Sequence, residues 1–152
     1  MKVLLINGSP HEKGCTYTAL SLIAKELNAG GIDTEILHVG GQPVGGCIGC
    51  GGCRKGEGCV FGGVVNEAIE KAKTADGFVF GSPVHYASAT GNMTAFMDRL
   101  AYAGGRYLAY KPAAICCSAR RAGTTTTLDQ LVKYPQFFHM PLVNGSYWAM
   151  VH

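Results

Sequence analysis

Short apolar runs alternate with stretches of helical periodicity along this chain, and that alternation restricts the fold to a strand–helix repeat. Lys2-Val3-Leu4-Leu5-Ile6-Asn7 is an apolar run closed by Gly8-Ser9-Pro10, the pattern of a buried strand entering a turn. Leu20, Ile23, Ala24 and Leu27 then fall at i, i+3, i+4 and i+7, and Gly30-Gly31 ends that helix. Residues 34–39 read as a second strand, 78–81 as a third closed by Ser82-Pro83, and 112–118 as a fourth. Pro141-Leu142-Val143 begins a fifth, running toward Trp148. The helical period returns at Val65, Ala68, Ile69 and Ala72, at Met93, Phe96, Met97 and Leu100, and at Leu128, Leu131 and Val132, the last ending near Tyr134-Pro135. Apolar strands alternating with helices predict a five-stranded parallel sheet, doubly wound, in a single domain over residues 1–152. Such a sheet normally closes with a further helix. None precedes His152, so we expect a fragment of a longer chain or a surface covered by another subunit.

Composition excludes several function classes. The chain of 152 residues can bury roughly 68–70% of its unfolded surface, so it needs no disulfide or metal merely to hold a core. The net charge of +3 comes from scattered basic residues, without the stripe that nucleic-acid binding uses, so no nucleic-acid partner is expected. Val3-Leu4-Leu5-Ile6 is too short for a signal peptide or a membrane span. A cytoplasmic protein without membrane attachment is expected, with its seven cysteines reduced and available as metal ligands or redox groups.

Residues 40–63 break the pattern, holding 11 of the 22 glycines and four of the seven cysteines. No regular element is expected there, only a long loop whose backbone approaches something closely. Its cysteines are spaced Cys47-x2-Cys50-x2-Cys53-x5-Cys59. Three thiolates at gaps of two, with a fourth from a wider loop, suit a cubane cluster. Structural zinc sites usually come as two pairs a dozen or more residues apart. Redox-active thiols or small loop residues are the other reading. Cys116 and Cys117, adjacent in a strand, point to opposite faces and do not form a redox dithiol.

In an open α/β sheet, ligands bind at the carboxyl ends of the strands. After the first strand, Ser9 and Thr16 offer hydroxyls, glycines stand at 8 and 14, and a helix start offers free N–H groups. That set suits one phosphomonoester. An ordinary turn, with Ser9 or Thr16 capping the helix, is the bland reading. Asn7-Gly8-Ser9-Pro10 followed by Gly14-Cys15-Thr16 resembles the phosphate loop of the NAD(P)H-dependent FMN reductases of flavodoxin-like fold. Gly81-Ser82-Pro83-Val84-His85-Tyr86, Thr90-Gly91 and Phe96-Met97-Asp98-Arg99 resemble that family's second flavin loop and the helix after it. Cys15 stands where the family usually has asparagine. The cysteine spacing is similar to that of the iron–sulfur flavoproteins, a branch whose cysteines hold a [4Fe–4S] cluster, although Gly62-Gly63 replaces the family's acidic pair.

The resemblance implies strand order 2-1-3-4-5 and FMN held by Ser9, His11, Gly14, Cys15 and Thr16 at its phosphate. Pro83, Val84, His85, Tyr86, Ser118, Ala119 and Arg120 would surround its ring. It implies transfer of electrons from NAD(P)H to a quinone, flavin or protein acceptor, without a side-chain acid or base, in a homodimer or homotetramer. The alternatives are an electron carrier with a cluster on Cys47, Cys50, Cys53 and Cys59, or a flavin-binding redox sensor without turnover. Arg120-Arg121 reads either as a site for the reduced flavin or a nicotinamide phosphate, or as a solvated pair. Thr124 to Thr127 read as helix-capping residues.

Overall fold

The computed structural model describes residues 1–56 and 58–152. Its elements are β1 (Lys2–Asn7), α1 (Cys15–Ala29), β2 (Asp33–His38), α2 (Val64–Thr74), β3 (Gly77–His85), β4 (Ser88–Ala89), α3 (Gly91–Leu108), β5 (Ala113–Ser118), α4 (Thr124–Phe137) and β6 (Met150–Val151). The sheet runs β2-β1-β3-β5-β6 with every neighbour parallel. Numbered among the parallel strands alone, this is the expected 2-1-3-4-5 order. A sixth strand, β4, pairs antiparallel with the end of β3.

The strands divide the core because successive side chains face opposite ways. Leu4, Ile6, Phe78, Phe80, Ile115 and Cys117 pack against α2, α3 and α4. Leu5, Val79 and Cys116 face Leu20 and Ala24 of α1. The residues chosen for helical period in α2 and α3 are all buried. Truncating Phe96, fully buried at this centre, to alanine would cost about 3–5 kcal/mol.

Four sequence expectations need correction. Ser82-Pro83 does not close β3, which runs on to His85 because β4 folds back on it, pairing Val84 with Ala89 and His85 with Ser88. Nor does α4 stop at Pro135. It continues two residues further to Phe137, and the Pro135 carbonyl accepts from the N–H groups of Phe138 and Met140. The cap of α4 is Gly123, at φ +101°, rather than a threonine, and Thr127 Oγ1 donates back to the Gly123 carbonyl at 2.9 Å. The fifth parallel strand is β6, beside Cys117 and Ser118, whereas Leu142 makes only a single bridge to Ala113. Among its described residues the glycine-rich stretch is irregular apart from one 3-10 turn at Gly52–Arg54. Among the described residues no helix is long and apolar enough to cross a membrane.

Candidate functional site

The carboxyl ends of β1, β3 and β5 converge, and the loop after β1 is held in shape by side chains from three elements. Asn7 Oδ1 accepts from the Ser9 N–H at 3.1 Å, and Asn7 Nδ2 donates to the Glu12 carbonyl at 3.1 Å. His38, at the end of β2, donates from Nε2 to the Ser9 carbonyl at 2.8 Å. Thr90 donates from Oγ1 to the Gly8 carbonyl at 2.8 Å and accepts from the Met93 N–H, so it caps α3 while tying that helix to the loop. Gly40 lies so close that a methyl group there would meet the Ser9 carbonyl oxygen at 2.1 Å.

Within this frame two hydroxyl protons remain uncommitted. Ser9 Oγ accepts from the His11 N–H at 3.1 Å, which leaves its own proton free. Thr16 Oγ1 and Ser118 Oγ lie 2.8 Å apart and use one proton of their two. Helix α1 starts at Cys15 behind Gly14, with no side-chain cap and no acidic residue in its first turn. The capping role considered for Ser9 or Thr16 is therefore unfilled, and the positive end of the helix lacks a side-chain partner. This donor set fits an anion.

Ser9, His11, Gly14, Cys15, Thr16, Pro83, Val84, His85, Ser118, Ala119 and Arg120 all line one cavity of about 590 Å³. That volume is within the range of small-molecule sites, roughly 300–1,000 Å³. Tyr86 stands apart. It sits at the tip of the β3–β4 hairpin at φ +52°, followed by Ala87 at φ +58°, and its ring is fully exposed rather than packed in the core. It lines an adjoining cavity of about 640 Å³ with Arg120 and Arg121.

Cys47, Cys50, Cys53 and Cys59 line a third cavity, of about 510 Å³, together with Arg54, Phe61 and Arg99. Among the described residues no group of three or more His, Cys, Asp or Glu side chains is placed to hold a metal ion. Four thiols on one cavity are the donor type that an iron–sulfur cluster takes. Cys59 is fixed from two helices. Its N–H donates to Asn66 Oδ1 at 2.7 Å, its carbonyl accepts from Asn66 Nδ2 at 3.0 Å, and its Sγ accepts from Arg99 Nε at 3.2 Å. Cys116 and Cys117 are buried on opposite faces of the sheet. Burial, with Cys117 alongside, pushes the Cys116 thiol up to about 12, and burial takes Cys117 to about 11.

The family model described as NADPH-dependent FMN reductase matches residues 1–152. The chain belongs to that family. An iron-sulfur flavoprotein of Methanocaldococcus jannaschii is 37% identical over 103 residues, covering 65% of this chain and 51% of that one. Another, from Archaeoglobus fulgidus, is 35% identical over 99 residues, covering 65% of this chain and 48% of the relative. The chain spans about half the length of the curated relatives it matches. Among solved structures, an apo NADH:FMN oxidoreductase superposes with a TM-score of 0.72 at 21% identity, covering 98% of this chain and 75% of that one. At that identity the likeness is one of fold.

This FMN reductase family chain also uses residues that had no role assigned from sequence, although Asn7, Thr90 and Arg99 stand in the motifs quoted for the resemblance. Asn7, His38 and Thr90 shape the first loop without lining its cavity. Asn92 donates to the carbonyls of Gly40 and Gln42 and accepts from the Val44 N–H, anchoring the start of the glycine-rich stretch to α3. Arg99, two turns further along α3, takes the later part. Asparagine and arginine at i and i+7 on a helix that follows a flavin-type loop is the only signal that could have marked them.

Proposed function

We propose that residues 1–152 form a single FMN-binding domain that passes electrons from NAD(P)H to a quinone, a free flavin or a protein acceptor. The convergence of three strand-end loops on one hydroxyl-lined cavity at the start of α1 supports this reading. Ser9, Thr16 and the N–H groups of Gly14, Cys15 and the first turn of α1 would hold the phosphate, with His11 at the mouth. Pro83, Val84, His85, Ser118, Ala119 and Arg120 would flank the ring, and Tyr86 would reach it from the hairpin tip. When bound, FMN supplies the capacity to accept electrons in a pair and release them in pairs or singly. The side chains contribute position and exclusion of water, and this reading asks no acid or base of them. Fluorescence titration tests it: Ser9→Ala with Thr16→Ala should weaken FMN binding at least tenfold, and an unchanged titration would refute the assignment. Stopped-flow mixing of the FMN-loaded protein with NADPH and with NADH should bleach the flavin within a turnover for the preferred donor.

The cysteine cavity favours a second reading, in which Cys47, Cys50, Cys53 and Cys59 hold a [4Fe–4S] cluster and the protein is a two-centre carrier that needs no NAD(P)H. The iron-sulfur flavoprotein relatives support it. Iron and sulfide analysis of anaerobically purified protein decides, since less than one iron per chain would remove the cluster. We further propose a homodimer or homotetramer, to be checked by light scattering.

A further inference from the structure

Arg99 carries a charge into the protein interior without an acidic partner. It is 6% exposed, and among the described residues no carboxylate pairs with it. Its donors go to Cys59 Sγ from Nε at 3.2 Å, to the Gly62 carbonyl from Nη2 at 2.9 Å and to the Gly45 carbonyl from Nη1 at 3.4 Å. Its guanidinium lies 5.5 Å from the centroid of the Phe61 ring. Carbonyl oxygens and a ring face satisfy the N–H groups but do not neutralise a full charge, and a buried cation without a counterion is costly. Arginine cannot escape by losing its proton. Arg54 adds a second cation to the cavity lining, and no carboxylate appears there among the described residues. Among the described residues lining the cavity, the groups that can balance these cations are the four thiols.

We propose that Arg99 is the positioning residue that fits this cavity to a net-negative occupant, a cluster on four thiolates, and raises the potential at which that occupant takes up an electron. The inference rests on the cluster reading above. Two parts of the geometry support it. By holding the carbonyls of Gly45 and Gly62, Arg99 ties both sides of the cysteine segment to one turn of α3, which fixes where Cys59 presents its sulfur. The same side chain places a permanent positive charge and an N–H donor against that sulfur. Reduction adds a negative charge to the occupant, so both features stabilise the reduced form more than the oxidised one.

The test uses the full chain, reconstituted anaerobically with ferrous iron and sulfide, as wild type, Arg99→Met and Arg99→Lys. Iron and sulfide per chain are measured, and the one-electron potential is followed by optical titration with electron paramagnetic resonance. Wild type should load, and Arg99→Met should retain less than half the iron. What does load in Arg99→Met should show at least a tenfold shift of the redox equilibrium toward the oxidised form, about 59 mV for one electron. Arg99→Lys keeps the charge but loses the planar fork, so its potential should fall less while its loading still drops. It carries the test if the methionine variant does not fold by circular dichroism. Wild-type loading with both variants equal to it in iron, sulfide and potential would overturn the role of Arg99 alone. A wild type that takes up neither iron nor sulfide would overturn this inference together with the cluster reading, leaving the FMN reading intact.

Discussion

Thr16 Oγ1 stands 2.8 Å from Ser118 Oγ, joining the first turn of α1 to the last residue of β5 across 102 positions of the chain. Both residues are buried, so the pair has a structural share as well as a role facing the cavity. Removing one hydroxyl leaves the other without its partner, at a cost of about 1–3 kcal/mol, whereas removing both is closer to neutral. Thr16→Val and Ser118→Ala should each lower the urea midpoint, and the double variant should recover part of the loss. FMN affinity should behave differently, falling in both single variants and furthest in the double. A double variant that binds FMN like wild type would assign the pair to structure alone.

A prediction follows from the closeness of Gly40 to the Ser9 backbone. A methyl group at position 40 meets the Ser9 carbonyl oxygen at 2.1 Å and its carbon at 2.4 Å, both backbone atoms that cannot rotate away. The loop must shift, taking the Ser9 hydroxyl and the His38 contact with it. Gly40→Ala should therefore weaken FMN binding at least tenfold although residue 40 does not line the cavity. Isothermal titration measures it, and a crystal structure of the variant should show Ser9 displaced.

Much of this architecture was legible because local pattern and tertiary demand agree. The periodic residues of α2 and α3 are the buried ones, and apolar strands separated by helices leave few arrangements besides a parallel sheet. Sequence reading failed where a long-range contact overrides a local stop signal. Ser82-Pro83 reads as a strand end, but Ser82 is buried, accepting from the Thr90 N–H, and β4 extends the pairing past it. Pro135 reads as a helix end, yet one missing N–H near the terminus of α4 is tolerated with its ring buried. The candidate residues of the first cavity were visible as hydroxyls and glycines beside a helix start. The roles of His38, Asn92 and Arg99 were not, because each acts on backbone or sulfur far away in sequence, and nothing local to them reveals a partner.

Stability should depend on pH through Cys116. Burial holds its thiol at about 12 against an ordinary value of 9.0, so the folded state favours the protonated form. The contribution is fully present below about pH 9 and is lost as the pH rises from there toward 12, because the unfolded chain ionises first. The urea midpoint of wild type should fall more steeply above pH 9 than that of Cys116→Val. For the same reason, iodoacetamide at pH 8 should leave Cys116 and Cys117 unlabelled in the native protein and label them once urea is added.

The hairpin tip sets stability against binding. Tyr86 and Ala87 both occupy the left-handed region in a two-residue turn, where asparagine and glycine are the favoured pair. A side chain held there costs on the order of 1 kcal/mol or more, and Tyr86 recovers none of it by packing, since its ring is wholly exposed. Replacing the pair by Tyr86→Asn with Ala87→Gly should stabilise the FMN-free protein by about 1 kcal/mol, raising its melting temperature by roughly 2–4 °C. If the ring serves the flavin, the same variant should bind FMN more weakly, with the gain in melting temperature on FMN addition reduced relative to wild type. Differential scanning calorimetry with and without FMN reads both effects in one experiment. A variant whose gain in melting temperature on FMN addition equals that of wild type would remove Tyr86 from the binding site and leave its strained backbone without a functional reason.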